Sequence, residues 1–267
     1  SMNSVKYRIE KAKKPKRFAV VGGGIGGMET ARVLALRGHK VTVYEKTDRL
    51  GGVFVPAASF DFKEKDRDLL SWYYKQLADL GVNIVYNTEV KDVSALDADE
   101  VIVATGAKAR TLRIPGEDKA IEALDYLNDR SKAGEKVIIA GGNLTGCEIA
   151  YELFLNGKKP VIVEMKNDLM AVGGLCLANS SYLRDFFKLK QVPVYLNTKV
   201  KEITDKGVVA IDKDGKELVI EGDTVIKCVG YVPDPLTAKV KDYVGDCYRV
   251  GNVMTAITRA WDIAMKK

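Results

Sequence analysis

Short apolar runs recur along the chain, and glycine cuts off several of them. Phe18-Ala19-Val20-Val21 has the unbroken hydrophobicity of a strand covered on both faces. It runs into Gly22-Gly23-Gly24-Ile25-Gly26-Gly27. A helical stretch over 28–37 follows, with Gly38 placed to cap its end, and Val41-Thr42-Val43-Tyr44 supplies a second strand. This order predicts one βαβ unit, with parallel strands and a right-handed crossover. In the stretch 65–80, Leu69, Trp72, Tyr73, Gln76, Leu77 and Leu80 fall at helical spacing. Short strands are predicted at 82–85 and 101–104. The same grammar returns with a strand at 136–140, a glycine turn at 141–146, a helix over 147–155 and a strand at 161–163. Solenoid repeats have periods of about 20–50 residues. A whole βαβ unit returning after 119 positions, from Gly22 to Gly141, instead predicts two nucleotide-binding domains. The runs 200–204, 208–212 and 218–220 read as a β-meander with Asp214-Gly215 at one turn. Residues 243–247 lead through a loop to a last helix over 255–265.

The glycine pattern brings chemistry to this frame. Gly22, Gly24 and Gly27 form G-x-G-x-x-G where a strand ends and a helix begins. The first glycine permits the tight turn, the second lets a pyrophosphate approach the backbone, and the third lets helix and strand pack closely. The free N–H groups and the helix dipole then favour the phosphates. Glu45 stands 21 positions after Gly24, near the spacing of an acid that binds ribose hydroxyls. The second turn has Gly141 and Gly146 but Asn143 in the middle position, with Glu164 21 positions further on. An Asn Cβ obstructs the pyrophosphate. Asn also tolerates left-handed backbone and donates hydrogen bonds, so the site is read as damaged or adapted. Glu164 favours the free ribose of NADH over the 2′-phosphate of NADPH. The fold class is α/β with two Rossmann-like dinucleotide-binding domains. The expected boundaries are a tail over 1–15, a first domain of 16–110 and 230–267, and a second of 111–229.

Composition narrows the chemistry further. The formal net charge is +6, and Lys6, Arg8, Lys11, Lys13, Lys14, Lys16 and Arg17 against Glu10 account for all of it. That tail reads as a solvated linker, with no nucleic-acid partner expected. No apolar run is long enough to span a membrane, and the N-terminus has no secretory pattern; Ser1-Met2 looks like a cleavage scar. One histidine, His39 in a Gly-His-Lys turn, excludes a multi-histidine metal site. Cys147, Cys176, Cys228 and Cys247 form no close pair, which excludes zinc, iron–sulfur and dithiol-exchange motifs and fits a reducing, cytoplasmic setting. Cys147 opens a predicted helix. It is either a thiol whose pKa the helix dipole lowers or a small packing residue.

Further motifs in order make a family resemblance. Arg49-Leu50-Gly51-Gly52 resembles the segment that runs under the flavin in two-dinucleotide flavoproteins. Ala104-Thr105-Gly106 resembles their turn out of the flavin domain, and Gly245-Asp246 their late G-D motif, in which the aspartate accepts from the ribityl chain. Together with 20–24, 31–39 and Tyr44-Glu45-Lys46, these resemble the C-terminal FAD/NAD(P) region of the NADH:flavin oxidoreductases, the group of 2,4-dienoyl-CoA reductase, enoate reductase and trimethylamine dehydrogenase. The resemblance covers about 16–265 and implies FAD and NADH, with NADPH disfavoured. It also implies flavin contacts at Gly26, Gly52, Val53, Lys63 and Val90. Read from the residues alone, Lys63 is equally a solvated lysine and Val90 equally strand core. In that family this region follows a flavin-bearing barrel with an iron–sulfur cluster. The chain is therefore expected to be a module whose partner is such an FMN/iron–sulfur barrel or another electron acceptor, with its basic tail the former linker. The expected activity is hydride transfer from NADH to FAD and electron transfer onward, with no acid–base residue. The rival expectation, raised by Asn143, is a non-catalytic nucleotide-binding scaffold.

Overall fold

The computed structural model describes residues 8–236 and 240–267. It divides into two units: one runs up to Lys108 and resumes at Tyr231, and the other is Ala109–Gly230. In the first unit β1 (Arg17–Val21), α1 (Ile25–Leu36), β2 (Lys40–Tyr44), α2 (Glu64–Asp79), β3 (Asn83–Val85) and β4 (Glu100–Val103) follow one another. The strand Asp242–Tyr243 completes a parallel sheet of order 242–243, β4, β1, β2, β3. Val21 sits beside both Tyr44 and Val103, so β1 is the central strand and its glycine turn emerges mid-sheet. Four of the five β1 residues are buried, as both covered faces require. The core of this unit includes Phe18, Val20, Met28, Leu34, Val43, Tyr73, Leu77 and Ile102, with Ala260 and Ala264 from the helix Val253–Ala264. Fully burying one such Leu or Phe side chain is worth about 1.5–3 kcal/mol.

The second unit repeats this plan with β5 (Lys136–Ala140), α3 (Leu144–Leu155), β6 (Lys159–Val163), α4 (Leu177–Leu189), β7 (Val194–Tyr195) and β8 (Thr224–Lys227). Its parallel sheet has the order 121–122, β8, β5, β6, β7, so that β8, β5, β6 and β7 take the places of β4, β1, β2 and β3, while the edge strand precedes the others in the chain instead of following them. Between β7 and β8, the strands Lys199–Thr204, Gly207–Ile211 and Glu217–Glu221 form the antiparallel meander read from the sequence. Val200, Ile203, Val208 and Ala210 pack from it onto Ile138, Val161 and Val225.

The differences from the sequence reading have physical causes. α1 begins at Ile25 rather than 28, because Gly26 and Gly27 lie inside its first turn. α3 begins at Leu144 rather than Cys147, because the Asn143 side chain caps it. The segment 243–247, given no element in the sequence reading, divides in two: Asp242–Tyr243 pairs with β4, and Gly245–Cys247 forms a single 3₁₀ turn. α4, β8 and the short helices Phe54–Ala57 and Ala123–Asn128 had no counterpart in the sequence reading. The start of the basic tail, including Lys6, lies outside the described residues. Beyond it the tail is mostly exposed, as a solvated segment would be, but it is tethered to the first unit. The Ala12 N–H donates to the Arg37 carbonyl at 2.8 Å, Lys16 pairs with Glu100, and Arg17 pairs with Asp97 and Asp99.

Candidate functional site: two glycine loops of one design

The first loop requires glycine by direct collision. A Cβ on Gly22, whose φ is +104°, would lie 2.4 Å from the Ala104 carbonyl oxygen, and one on Gly27 would lie 1.9 Å from the Gly22 oxygen. A Cβ on Gly26 would lie 3.3 Å from Gly245, and one on Gly52 3.3 Å from Gly24. Gly24 differs from all of these. It is the N-cap of α1 in extended backbone (φ −70°, ψ −176°), makes no side-chain cap, and its missing Cβ would face open space with nothing within 4 Å. A helix N-terminus with free N–H groups and a vacant side-chain direction fits the pyrophosphate of a dinucleotide.

Glu45 is 5% exposed and braces this loop from β2. Its Oε2 accepts from the Gly23 N–H at 2.8 Å, and its Oε1 from the Thr47 N–H and hydroxyl, each at 2.8 Å. Lys46 beside it is exposed. Arg49-Leu50-Gly51-Gly52 returns beneath the loop: the Gly51 N–H donates to the Gly23 carbonyl, and Gly24 bridges Gly51. Val53, next in the chain, is 48% exposed. Ala104-Thr105-Gly106 follows β4, with Ala104 buried under Gly22, Gly106 at φ +80°, and the Thr105 hydroxyl donating to the Asp234 carbonyl at 2.8 Å. Asp246 lies in the turn packed on Gly26. Burial pushes its carboxyl above the usual range, while the Gly251 N–H donates to its Oδ1 at 3.0 Å. Gly22, Gly24, Gly26, Gly27, Gly52, Glu45, Ala104 and the Asp246 turn are thus brought together at the C-terminal ends of the parallel strands. Lys63 precedes α2 with its ammonium 5.2 Å from the Phe60 ring, and Val90 is buried after β3.

The second loop copies the first contact by contact. A Cβ on Gly141 would lie 2.1 Å from the Cys228 oxygen, and one on Gly146 2.1 Å from the Gly141 oxygen. Glu164 accepts from the Gly142 N–H at 2.6 Å and the Lys166 N–H at 2.8 Å, as Glu45 does from Gly23 and Thr47. Cys228-Val229-Gly230 stands where Ala104-Thr105-Gly106 stands, with Gly230 at φ +87°. The copying extends to Asn87 and Asn197, both left-handed at φ 51°. Their N–H groups donate to the Thr47 and Lys166 carbonyls respectively. The segment Asn87-Thr88-Glu89-Val90-Lys91 recurs as Asn197-Thr198-Lys199-Val200-Lys201, a signal of the longer repeat that the sequence reading passed over.

Asn143 breaks the copy. Its backbone (φ −72°, ψ −179°) matches Gly24 and is not left-handed, so tolerance of that region explains nothing here. Its Oδ1 accepts from the Gly146 N–H at 3.0 Å, and its Nδ2 donates to the Cys228 carbonyl at 2.7 Å. Met170 stands where Gly51 does, its N–H donating to the Gly142 carbonyl. The dipole reading of Cys147 is also corrected. Burial, aided by the Glu164 carboxylate, pushes the thiol up to about 12, and its Sγ lies 3.4 Å from the Gly142 carbonyl, which makes it a packing residue. His39 is buried, its Nδ1 accepting from the Lys16 N–H at 3.1 Å. Among the described residues no group of three or more His, Cys, Asp and Glu could hold a metal ion, and all four cysteines are free. No helix of the described residues is long and apolar enough to cross a membrane.

Comparison with known proteins agrees with this geometry. The model of the pyridine nucleotide-disulphide oxidoreductase family matches residues 4–97 and 92–245. Cinnamate reductase of Clostridium sporogenes is 43% identical over 97% of this chain and 40% of its own length. NADH oxidase of Thermoanaerobacter brockii is 32% identical over 96% and 42%. Among solved structures, a 2-naphthoyl-CoA reductase complex superposes with a TM-score of 0.87 at 28% identity, covering 98% of this chain and 41% of that one. The chain thus spans about two fifths of the relatives it matches. With two Rossmann-like sheets, two glycine loops and a match over nearly its whole length, the chain belongs to the pyridine nucleotide-disulphide oxidoreductase family, as an FAD- and NADH-binding module of the enoate reductase type.

Proposed function

We propose that the first unit holds FAD, that Ala109–Gly230 holds NADH, and that the chain passes reducing equivalents to an acceptor on another domain or chain. The vacant side-chain direction at Gly24, over the N-terminus of α1, carries this reading. Gly22, Gly24 and Gly27 would seat the FAD pyrophosphate, Glu45 the adenosine ribose and Asp246 the ribityl chain. Gly26, Gly52, Val53, Ala104, Thr105 and Gly106 would line the cofactor's path, with Lys46, Lys63 and Val90 at its margins. Gly141, Gly146 and Glu164 would hold NADH, with Asn143 at the middle position of the loop. Bound FAD supplies the chemistry, accepting a hydride from NADH and releasing its electrons onward. The protein's part is to fix both cofactors and to keep thiols out of the route. Cys147 and Cys228 are buried with their pKa values raised, so neither is a nucleophile.

The acceptor we propose is an FMN- or iron–sulfur-bearing barrel domain, and the setting cytoplasmic. In support, the matched relatives are more than twice as long as the matched region. The test is direct. Denaturation should release FAD rather than FMN on chromatography, and anaerobic NADH should bleach the yellow protein. FMN alone would overturn the cofactor assignment. One observation favours a second reading: Asn143 spends its side chain on the helix cap, as a nucleotide-binding scaffold that has given up hydride transfer would allow. A protein that binds FAD yet is bleached by neither NADH nor NADPH would establish that reading.

A further inference from the structure

We propose that Asn143 is an internal latch on the NADH loop: its amide stands in for the nucleotide at the start of α3 and must turn away to admit it. The inference rests on assigning NADH to Ala109–Gly230, and deepens that reading. Its basis is a comparison the protein makes within itself. Gly24 and Asn143 share one backbone conformation, open the same helix, and accept alike from the N–H four residues on, those of Met28 and Cys147, each at 2.9 Å. Beside Gly24 the side-chain direction is vacant and no side chain caps the helix. At Asn143 the side chain fills that direction and closes with two arms. Oδ1 takes the Gly146 N–H, and Nδ2 holds the Cys228 carbonyl at the end of β8. Both arms are good hydrogen bonds. A pyrophosphate seeking the N–H groups of this helix end must therefore compete with a side chain already tethered there.

The latch makes the second loop the weaker of two otherwise matched sites. It also ties the loop to the Cys228-Val229-Gly230 turn, so that releasing Asn143 frees the Cys228 carbonyl as well. NADH would thus bind transiently, at the cost of an opened cap, while FAD at the unlatched loop is retained.

The test uses the FAD-loaded protein and ADP-ribose, which carries the pyrophosphate without the reducing ring. Hydrogen exchange of the stretch 141–147 should be slow at Gly146 in the ligand-free wild type and faster in Asn143→Gly. Calorimetry should show Asn143→Gly binding ADP-ribose about two- to tenfold more tightly, the worth of about one hydrogen bond. Asn143→Ser keeps a one-armed cap, carries the test if the glycine variant does not fold, and should fall between. Gly24→Asn should install the same latch on the other loop and lower FAD retention. If ADP-ribose slows exchange over 141–147 but Asn143→Gly binds it no better than wild type, the latch is overturned and the NADH assignment stands. If ADP-ribose leaves 141–147 unaltered in every variant, the NADH assignment fails and the latch with it.

Discussion

At the scale of single residues, burial decides chemistry more often than sequence neighbourhood does. Asp246 has the pattern of a ribityl acceptor, and its carboxyl is partly buried with the Gly251 N–H donating to it. Replacing it by Ala should leave a ribityl hydroxyl of the bound flavin unpaired, which costs of order 1–3 kcal/mol. Flavin retained through gel filtration should fall accordingly, and unchanged FAD affinity in a folded variant would count against the role. Of the two readings of Cys147, an activated thiol or a packing residue, the second holds: it is a protonated core residue. Replacing all four cysteines should leave NADH-to-dye electron transfer largely intact, whereas loss traced to Cys147 alone would revive a thiol route. His39 supplies a pH dependence. Burial, with Arg37 and Lys16 nearby, lowers its pKa below the ordinary 6.5. The unfolded chain therefore takes up the proton first, and stability is lost as pH falls below about 6.5. A His39→Gln variant, followed by urea denaturation between pH 5 and 8, should show a flatter profile than wild type.

At the scale of elements, what was legible followed periodicity and what was missed lacked it. The strand at 136–140 and the meander stood out because their apolar runs are unbroken or alternate cleanly. α4 did not, because Ser180 occupies a core position where an apolar residue would have completed the stripe with Leu183 and Phe187. Its equivalence to α2 shows in its place between β6 and β7 and in the paired turns after them, where Gly81 and Gln191 are both left-handed. The glycine loops and their acids were readable because their spacing is dictated by collisions. The Asn143 cap was not, since its second partner, Cys228, is 85 positions away. α1 and α2 are joined by another contact no motif announces. The Glu29 carboxylate, 3% exposed, takes two hydrogen bonds from Arg32 at 2.8 Å and one from the Tyr73 hydroxyl at 3.1 Å. Arg32→Ala would strand a buried charge and should destabilise by about 3–5 kcal/mol, while Tyr73→Phe should cost about 1 kcal/mol. Equilibrium denaturation measures both.

At the scale of the whole molecule, one βαβ design serves two purposes. Four strands of each sheet share one order, both loops are braced by a glutamate at the end of the second of these strands, and both leave a carbonyl from the end of the fourth under the first glycine. They differ at the middle position of the loop, open at Gly24 and latched at Asn143. On this account the two copies hold one cofactor firmly and the other transiently, as a module that refills from NADH requires. On the same account Glu164, whose carboxylate accepts from the backbone N–H groups of Gly142 and Lys166, would set the preference between nicotinamide cofactors. Anaerobic stopped-flow absorbance of the oxidised flavin band, with NADH and NADPH in turn, measures the claim directly. The account predicts bleaching by NADH, faster than by NADPH; a band that neither cofactor bleaches, or that NADPH bleaches faster, would contradict it.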